Sequence, residues 1–159
     1  MSSYVSFYIR NKNDFLPIGS FSRSSVIYQL AQNNCAPYEK IKAITINEIR
    51  RIAMECGEIK KKHEDGIKSF MERIDFLKEC NASLSEREEF LSDYLETIEG
   101  YKEGIEEVEY AQNYYNFLIT ILEDVSYEEN FDSKHYIYFG IDIGYNVKAE
   151  DIMGEKNED

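Results

Sequence analysis

Two long stripes of regularly spaced side chains constrain this chain more than any other feature. On a first arm Ile46, Ile49, Ala53, Cys56, Lys60, His63, Ile67, Phe70, Ile74 and Leu77 recur at alternating steps of three and four. On a second arm Leu91, Tyr94, Ile98, Tyr101, Ile105, Val108, Gln112, Tyr115, Ile119 and Leu122 do the same. A repeat averaging 3.5 residues keeps one face of a helix turned toward a partner helix along its whole length. Residues 45–124 therefore read as one long antiparallel helical hairpin, coiled-coil-like in its seam.

The ends of both arms carry their own signals. Thr45-Ile46-Asn47-Glu48 has the spacing of a capping box, in which Thr and Glu satisfy each other's backbone amides. The first arm then runs to about Cys80, roughly 50 Å at 1.5 Å per residue. Asn81 to Ser85 interrupts it, and Ser83…Glu86 and Ser85…Glu88 both repeat the capping-box pattern. Folding back there sets Lys60, Lys61 and Lys62 opposite Glu106 and Glu107, Gly66 near Gly100 and Tyr101, and His63 near Gly104. Lys60, His63 and Gln112 are polar positions within the seam, the kind of residue that fixes register.

Two helices cannot cover all the apolar surface at the open end of such a hairpin. Ile44, Ile52 and Ile59, with Tyr110, Tyr114, Phe117, Leu118, Ile121 and Val125, spread beyond the seam. The flanking segments supply a cover. Tyr4 to Arg10 alternates, with Val5, Phe7 and Ile9 on one side, and reads as a half-buried strand. Asn11 to Asp14 is turn chemistry, and Phe15 to Ile18 a short returning strand whose Pro17 places it at a sheet edge. The serines at 22, 24 and 25 cap a short helix over Val26 to Asn34, which Pro37 prevents from continuing. His135 to Ile143 alternates again, with Ile137, Phe139, Ile141 and Ile143 facing inward. The expected fold is α+β: a head of three strands and a short helix (1–44 and 128–144), a helical hairpin (45–127), and a flexible acidic tail (145–159), all in one domain.

Composition narrows the class. The chain has 159 residues and 43% hydrophobic content, enough for a real core. Tyr4 to Ile9 is too short and polar for a secretory segment, and no apolar run reaches the roughly 20 residues a spanning helix needs. Cys35, Cys56 and Cys80 are odd in number and widely spaced, which fits reduced thiols and a cytoplasmic location. Net charge is −13, and residues 81–130 hold fourteen acids against Arg87 and Lys102. Such a field repels nucleic acid and anionic membranes and attracts basic protein surfaces.

Chemistry-bearing motifs are missing. His63 and His135 stand alone, with no metal-ligand spacing. No pair of carboxylates is set apart as acid and base, and Gly140-Ile141-Asp142-Ile143-Gly144 lacks the spacing of a dinucleotide loop. The serine-rich helix start is read as capping, not as an anion cradle. The expectation is a protein without catalysis, cofactor or metal. What remains is a stripe of Glu89, Asp93, Glu96, Glu99, Glu103, Glu106 and Glu107, on positions away from the seam. Its plain interpretation is a solvated helix face. Its functional interpretation is a partner-binding surface for a cationic groove, including one built for nucleic acid.

The stretches Phe7-Tyr8-Ile9-Arg10, Gly19 to Ser25 and Tyr136 to Asp142 resemble segments of small proteins encoded by phages and mobile elements of low-GC Gram-positive bacteria. A small, acidic chain without motifs resembles anti-CRISPR and other anti-defence inhibitors in character. That resemblance implies a non-enzymatic inhibitor or adaptor in the cytoplasm of a bacterial host, binding a host protein with a basic surface, such as a nucleic-acid-binding effector. The alternative is a structural or assembly protein, a homodimer in which two hairpins pair as a four-helix bundle.

Overall fold

The capping box at Thr45 closes in both directions and marks where strand gives way to helix. The Glu48 amide donates to Thr45 Oγ1 and the Thr45 amide to Glu48 Oε1, each at 3.2 Å. In the computed structural model, which describes residues 4–11, 14–35, 41–81, 83–124 and 136–141, seven elements follow one another. They are β1 (Tyr4–Asn11), β2 (Asp14–Ser22), α1 (Val26–Cys35), β3 (Lys42–Thr45), α2 (Ile46–Glu79), α3 (Leu84–Glu123) and β4 (Tyr136–Ile141). The class is α+β, with two long helices packed together and an antiparallel sheet. The expected acidic tail and the end of the last strand at Ile143 lie outside the described residues.

The chain divides into two compact units, residues 1–54 with 111–159 and residues 55–110. The division falls inside α2 and α3. The helix ends belong with the sheet because their side chains are part of its core.

In the first unit the sheet has four strands in the order β2-β1-β4-β3, where the sequence pattern predicts three. The added strand, β3, pairs antiparallel with β4, Ala43 opposite Tyr138 and Ile44 opposite Ile137. Four residues are too few to display a period, so only the pairing reveals it. β2 also runs past Ile18 to Ser22, through a stretch whose serines read as a helix approach. It is an outer strand, which is where Pro17 can sit without a missing ladder bond. Phe7 faces Gly19 and Tyr8 faces Pro17, so Ile18 is the extra residue of a bulge.

Both faces of the inner strands β1 and β4 are buried, which corrects the half-buried reading of β1. Toward the helices, Phe7 and Phe139 pack ring to ring at 4.5 Å between centroids, and Phe7 meets Tyr114 at 5.3 Å. Toward the other side, Tyr8, Phe15, Ile41, Ala43, Tyr136 and Tyr138 form a second buried cluster. Ser6, at 2% exposure, belongs to that face as well. Tyrosine counts as polar in an alternation, yet its ring buries like any other aromatic. At Gly140 an added Cβ would stand 2.8 Å from the Ile41 backbone, so the chain can pass close there.

Helix α1 is capped as expected: the Ile27 amide donates to Ser25 Oγ at 3.1 Å. Two tyrosines of α3 reach into the rest of the unit. Tyr115 donates its hydroxyl to the Ile27 carbonyl, and Tyr114 to the Ile18 carbonyl at 3.5 Å. Gln112, a polar seam position, donates Nε2 to the Ala53 carbonyl of α2 at 3.2 Å. That bond ties one helix to the other's backbone at a defined height, as a register-setting residue should.

The second unit is the antiparallel pair formed by the later part of α2 and the earlier part of α3. Of the two candidate capping boxes the first is used, with the Glu86 amide donating to Ser83 Oγ at 3.3 Å. The buried side chains of the unit are Cys56, Ile74, Ile98 and Val108, and a row of aromatic rings runs beside them. Phe90 stacks near Tyr94 at 6.4 Å, Tyr94 meets Phe70 at 5.6 Å, Phe70 meets Tyr101 at 6.1 Å, and Tyr101 meets His63 at 5.7 Å. The register is the one read from the sequence. A Cβ on Gly66 would fall 2.6 Å from the Tyr101 ring, and one on Gly104 2.9 Å from His63 Nε2. Gly100 faces open space instead. The charge crossing is narrower than expected: Lys60 pairs with Glu109 at 3.6 Å, and Lys61 and Lys62 are exposed.

Candidate functional site

Every residue of the acidic stripe is exposed, and every residue of the seam is buried or half-buried. The two sets separate because a helix turns about 100° per residue. On that wheel Glu89, Asp93, Glu96, Glu99, Glu103, Glu106 and Glu107 span roughly 140° of α3, centred opposite the seam. Successive members stand one turn apart or less, about 4.5–6 Å along the axis for steps of three and four. The second unit as a whole has eight Lys and Arg against seventeen Asp and Glu, a net charge of −9.

Little inside the protein neutralises the stripe. Among the described residues, the ion pair within it joins Lys102 to Glu99, one turn away at 3.8 Å, with both side chains well exposed. A pair of that kind contributes about 0–1 kcal/mol and leaves most of the field intact. Asp93 also carries a backbone role, its carbonyl accepting the Thr97 hydroxyl at 3.0 Å. The structure therefore brings the seven predicted residues together as one continuous face.

The aromatic surface that the sequence places at the open end of the hairpin resolves differently. Tyr114 is half-buried against Phe7 and Phe21, and Leu118 is fully buried. Tyr110 and Phe117 stay exposed, at 62% and 48%. These residues divide between core and surface and do not make one site.

A feature the sequence reading missed lies near the turn between α2 and α3. Ser69, Glu72, Arg73, Phe76, Leu77 and Cys80 of α2, with Phe90 and Tyr94 of α3, line an open groove of about 530 Å³. Phe76 is 72% exposed and Phe90 48%, although both are large and apolar. The signal was available. Phe90 sits beside its seam stripe and Phe76 on the flank of α2, and the register that pairs Gly66 with Tyr101 also brings position 76 to the height of position 90.

Among the described residues no three His, Cys, Asp or Glu side chains converge as a metal site requires. Cys56 is fully buried, and burial first, with Glu55 adding to it, pushes its thiol up to about 11 while a backbone hydrogen bond pulls it down. A thiol held neutral in this way packs as a small apolar side chain. No described helix is long and apolar enough to cross a membrane. No family model, curated protein or solved structure matches the chain.

Proposed function

We propose that this chain is a non-enzymatic protein-binding inhibitor or adaptor that docks on a basic surface of a host protein. The carrying observation is the exposed, nearly unpaired carboxylate face of α3, set opposite its packed seam. A field of one sign along a stiff helix speeds encounter with a surface of the other sign and discriminates against acidic competitors. Carboxylates spaced about one helical turn apart stand at intervals near those of phosphates on a nucleic-acid strand. The partner best suited to that pattern is a nucleic-acid-binding effector whose groove the helix would occupy. Blocking such a groove is the action of an anti-defence inhibitor, and that is the role proposed here. The packing of His63 against Gly104 on the seam side supports the reading, since it turns the carboxylate face of that unit outward.

The test is capture from host lysate with the parent protein and with a variant carrying Asp93→Asn, Glu96→Gln, Glu99→Gln and Glu103→Gln. The parent should retain a basic protein at low salt and release it as salt rises, because screening shortens to about 3 Å at 1 M. The variant should associate with the purified partner at a slower rate. A partner that binds parent and variant equally fast, with no dependence on salt, would remove the acidic face from the reading.

A further inference from the structure

We infer that Tyr110 anchors the acidic face by taking an arginine side chain of the protein partner, its guanidinium stacked on the ring and paired with Glu106 or Glu107. The inference rests on the reading that the chain binds a basic protein surface, and it names which cationic side chain is gripped and where. Tyr110 is the most exposed aromatic residue of α3, at 62%. It follows the seam residue Tyr101 by nine positions, which turns it about 180° away from the seam. That direction lies inside the arc of the seven carboxylates, so the ring is part of the same face. A ring left in water there adds little to the core, and its apolar area is removed from water only when a partner covers it.

The residues beside the ring select the occupant. On a helix the neighbours of a residue are those three and four positions away. For Tyr110 these are Glu107 and Glu106 on one side, and the uncharged Asn113 and Tyr114 on the other. Both glutamates are exposed, and among the described residues neither makes an ion pair. Two lysines close in sequence or register are engaged elsewhere. Lys60 reaches Glu109 at 3.6 Å, and Lys102, one turn before Glu106, reaches Glu99 at 3.8 Å. The Tyr110 ring and hydroxyl also meet no partner among the described residues. A guanidinium suits ring and carboxylates together. Its plane stacks on an aromatic face, and its N–H edge donates to acids beside that face. A lysine ammonium is a hydrated point charge and gains less from the ring. The chain makes a contact of this kind internally, with Arg73 Cζ 4.4 Å from the Phe70 ring centroid. Tyrosine and arginine are also among the side chains that carry most of the energy at protein interfaces.

The test uses the full isotope-labelled chain and follows its amide signals by NMR during titration with two short flexible peptides. One carries arginines among Gly and Ser, and the other has lysine at each of those positions. Signals around Tyr110 should move with the arginine peptide, which should bind roughly two- to fivefold more tightly than the lysine peptide, the share of a cation–π contact at an exposed site. Tyr110→Phe should keep that preference. Tyr110→Leu should abolish it and leave both peptides bound weakly and in a salt-dependent way. Glu106→Gln with Glu107→Gln should weaken both peptides. These side chains are exposed, so the variants should melt with the parent, and a thermal scan verifies it. A distal variant, Asp93→Asn, Glu96→Gln and Glu99→Gln, separates this inference from the broader reading. If the distal change weakens both peptides while Tyr110→Leu keeps the preference for arginine, the acidic face stands and the anchor falls. If Tyr110→Leu removes the preference while the distal change does nothing, the anchor stands without the wider face. Equal affinity of the parent for the two peptides, or no movement of the signals around Tyr110, would overturn the inference.

Discussion

The ring of Tyr101 occupies the space a Cβ on Gly66 would need, with Cζ only 2.6 Å from that position. The contact explains why a residue of poor helix propensity is placed inside α2. It lets the helices approach at the point where Phe70 and His63 close on the same ring.

Two alanine substitutions should therefore act in opposite directions. Gly66→Ala should destabilise by about 1–3 kcal/mol, because the Tyr101 ring must leave its place. Gly100→Ala meets nothing within 4 Å and should stabilise by about 0.4–1 kcal/mol, through the helix propensity of alanine. Urea unfolding of the two variants reads both signs. If Gly66→Ala proved neutral, the close approach would be absent in solution.

Adjacent residues on α3 should also differ sharply. Leu118 is fully buried and Phe117 is 48% exposed. Leu118→Ala should cost about 2–5 kcal/mol, the transfer of the side chain plus the cavity it leaves. Phe117→Ala should cost less than Leu118→Ala, about 1 kcal/mol, since the ring is half exposed and meets Tyr114 in a tilted contact at 6.0 Å. Chemical denaturation of both variants checks the difference, and a Leu118→Ala change under half a kcal/mol would place that residue in solvent.

The antiparallel register of the second unit predicts a crosslink. Cys placed at Lys60 and Glu109 should couple through a short bifunctional reagent, because those two side chains already meet at 3.6 Å in this register. Failure to couple would contradict the pairing. The ion pair itself should matter little: Lys60 and Glu109 are more than a third exposed, and a double-mutant cycle on them should give well under about 1 kcal/mol.

Burial of Cys56 makes stability depend on alkaline pH. Its thiol is raised from 9.0 to about 11 in the folded chain, by burial first and by Glu55 second. Below the lower value the thiol is protonated in both states and its contribution is fully present. Above it the unfolded chain ionises first, so stability falls as pH rises and the contribution is lost at the upper value, on the order of 2–3 kcal/mol in all. Unfolding of the parent and of Cys56→Ala, compared at pH of about 8 and about 11, isolates this thiol from every group that the two proteins share. The parent should lose more stability than the variant; equal losses would show that Cys56 is not desolvated.

Local sequence determined the helices of this protein almost completely. Thr45 with Glu48 and Ser83 with Glu86 mark the two helix starts, because capping is settled within four residues. The seam stripes and the glycines opposite Tyr101 and His63 set the pairing, because a regular helix places each side chain by number alone. The acidic face follows from the same arithmetic. Tertiary structure alone decided the fourth strand of the sheet and its second buried face. Lys42 to Thr45 becomes a strand only because Ile137 and Tyr138 lie beside it, and such hydrogen bonds between distant segments leave no local period. Ser6 and Tyr8 are buried because a second cluster forms on their face, which no alternation within β1 announces. The groove is also a tertiary product. Phe76 and Phe90 each look like stray apolar residues beside a seam, and only the fold-back at the turn makes one surface of them.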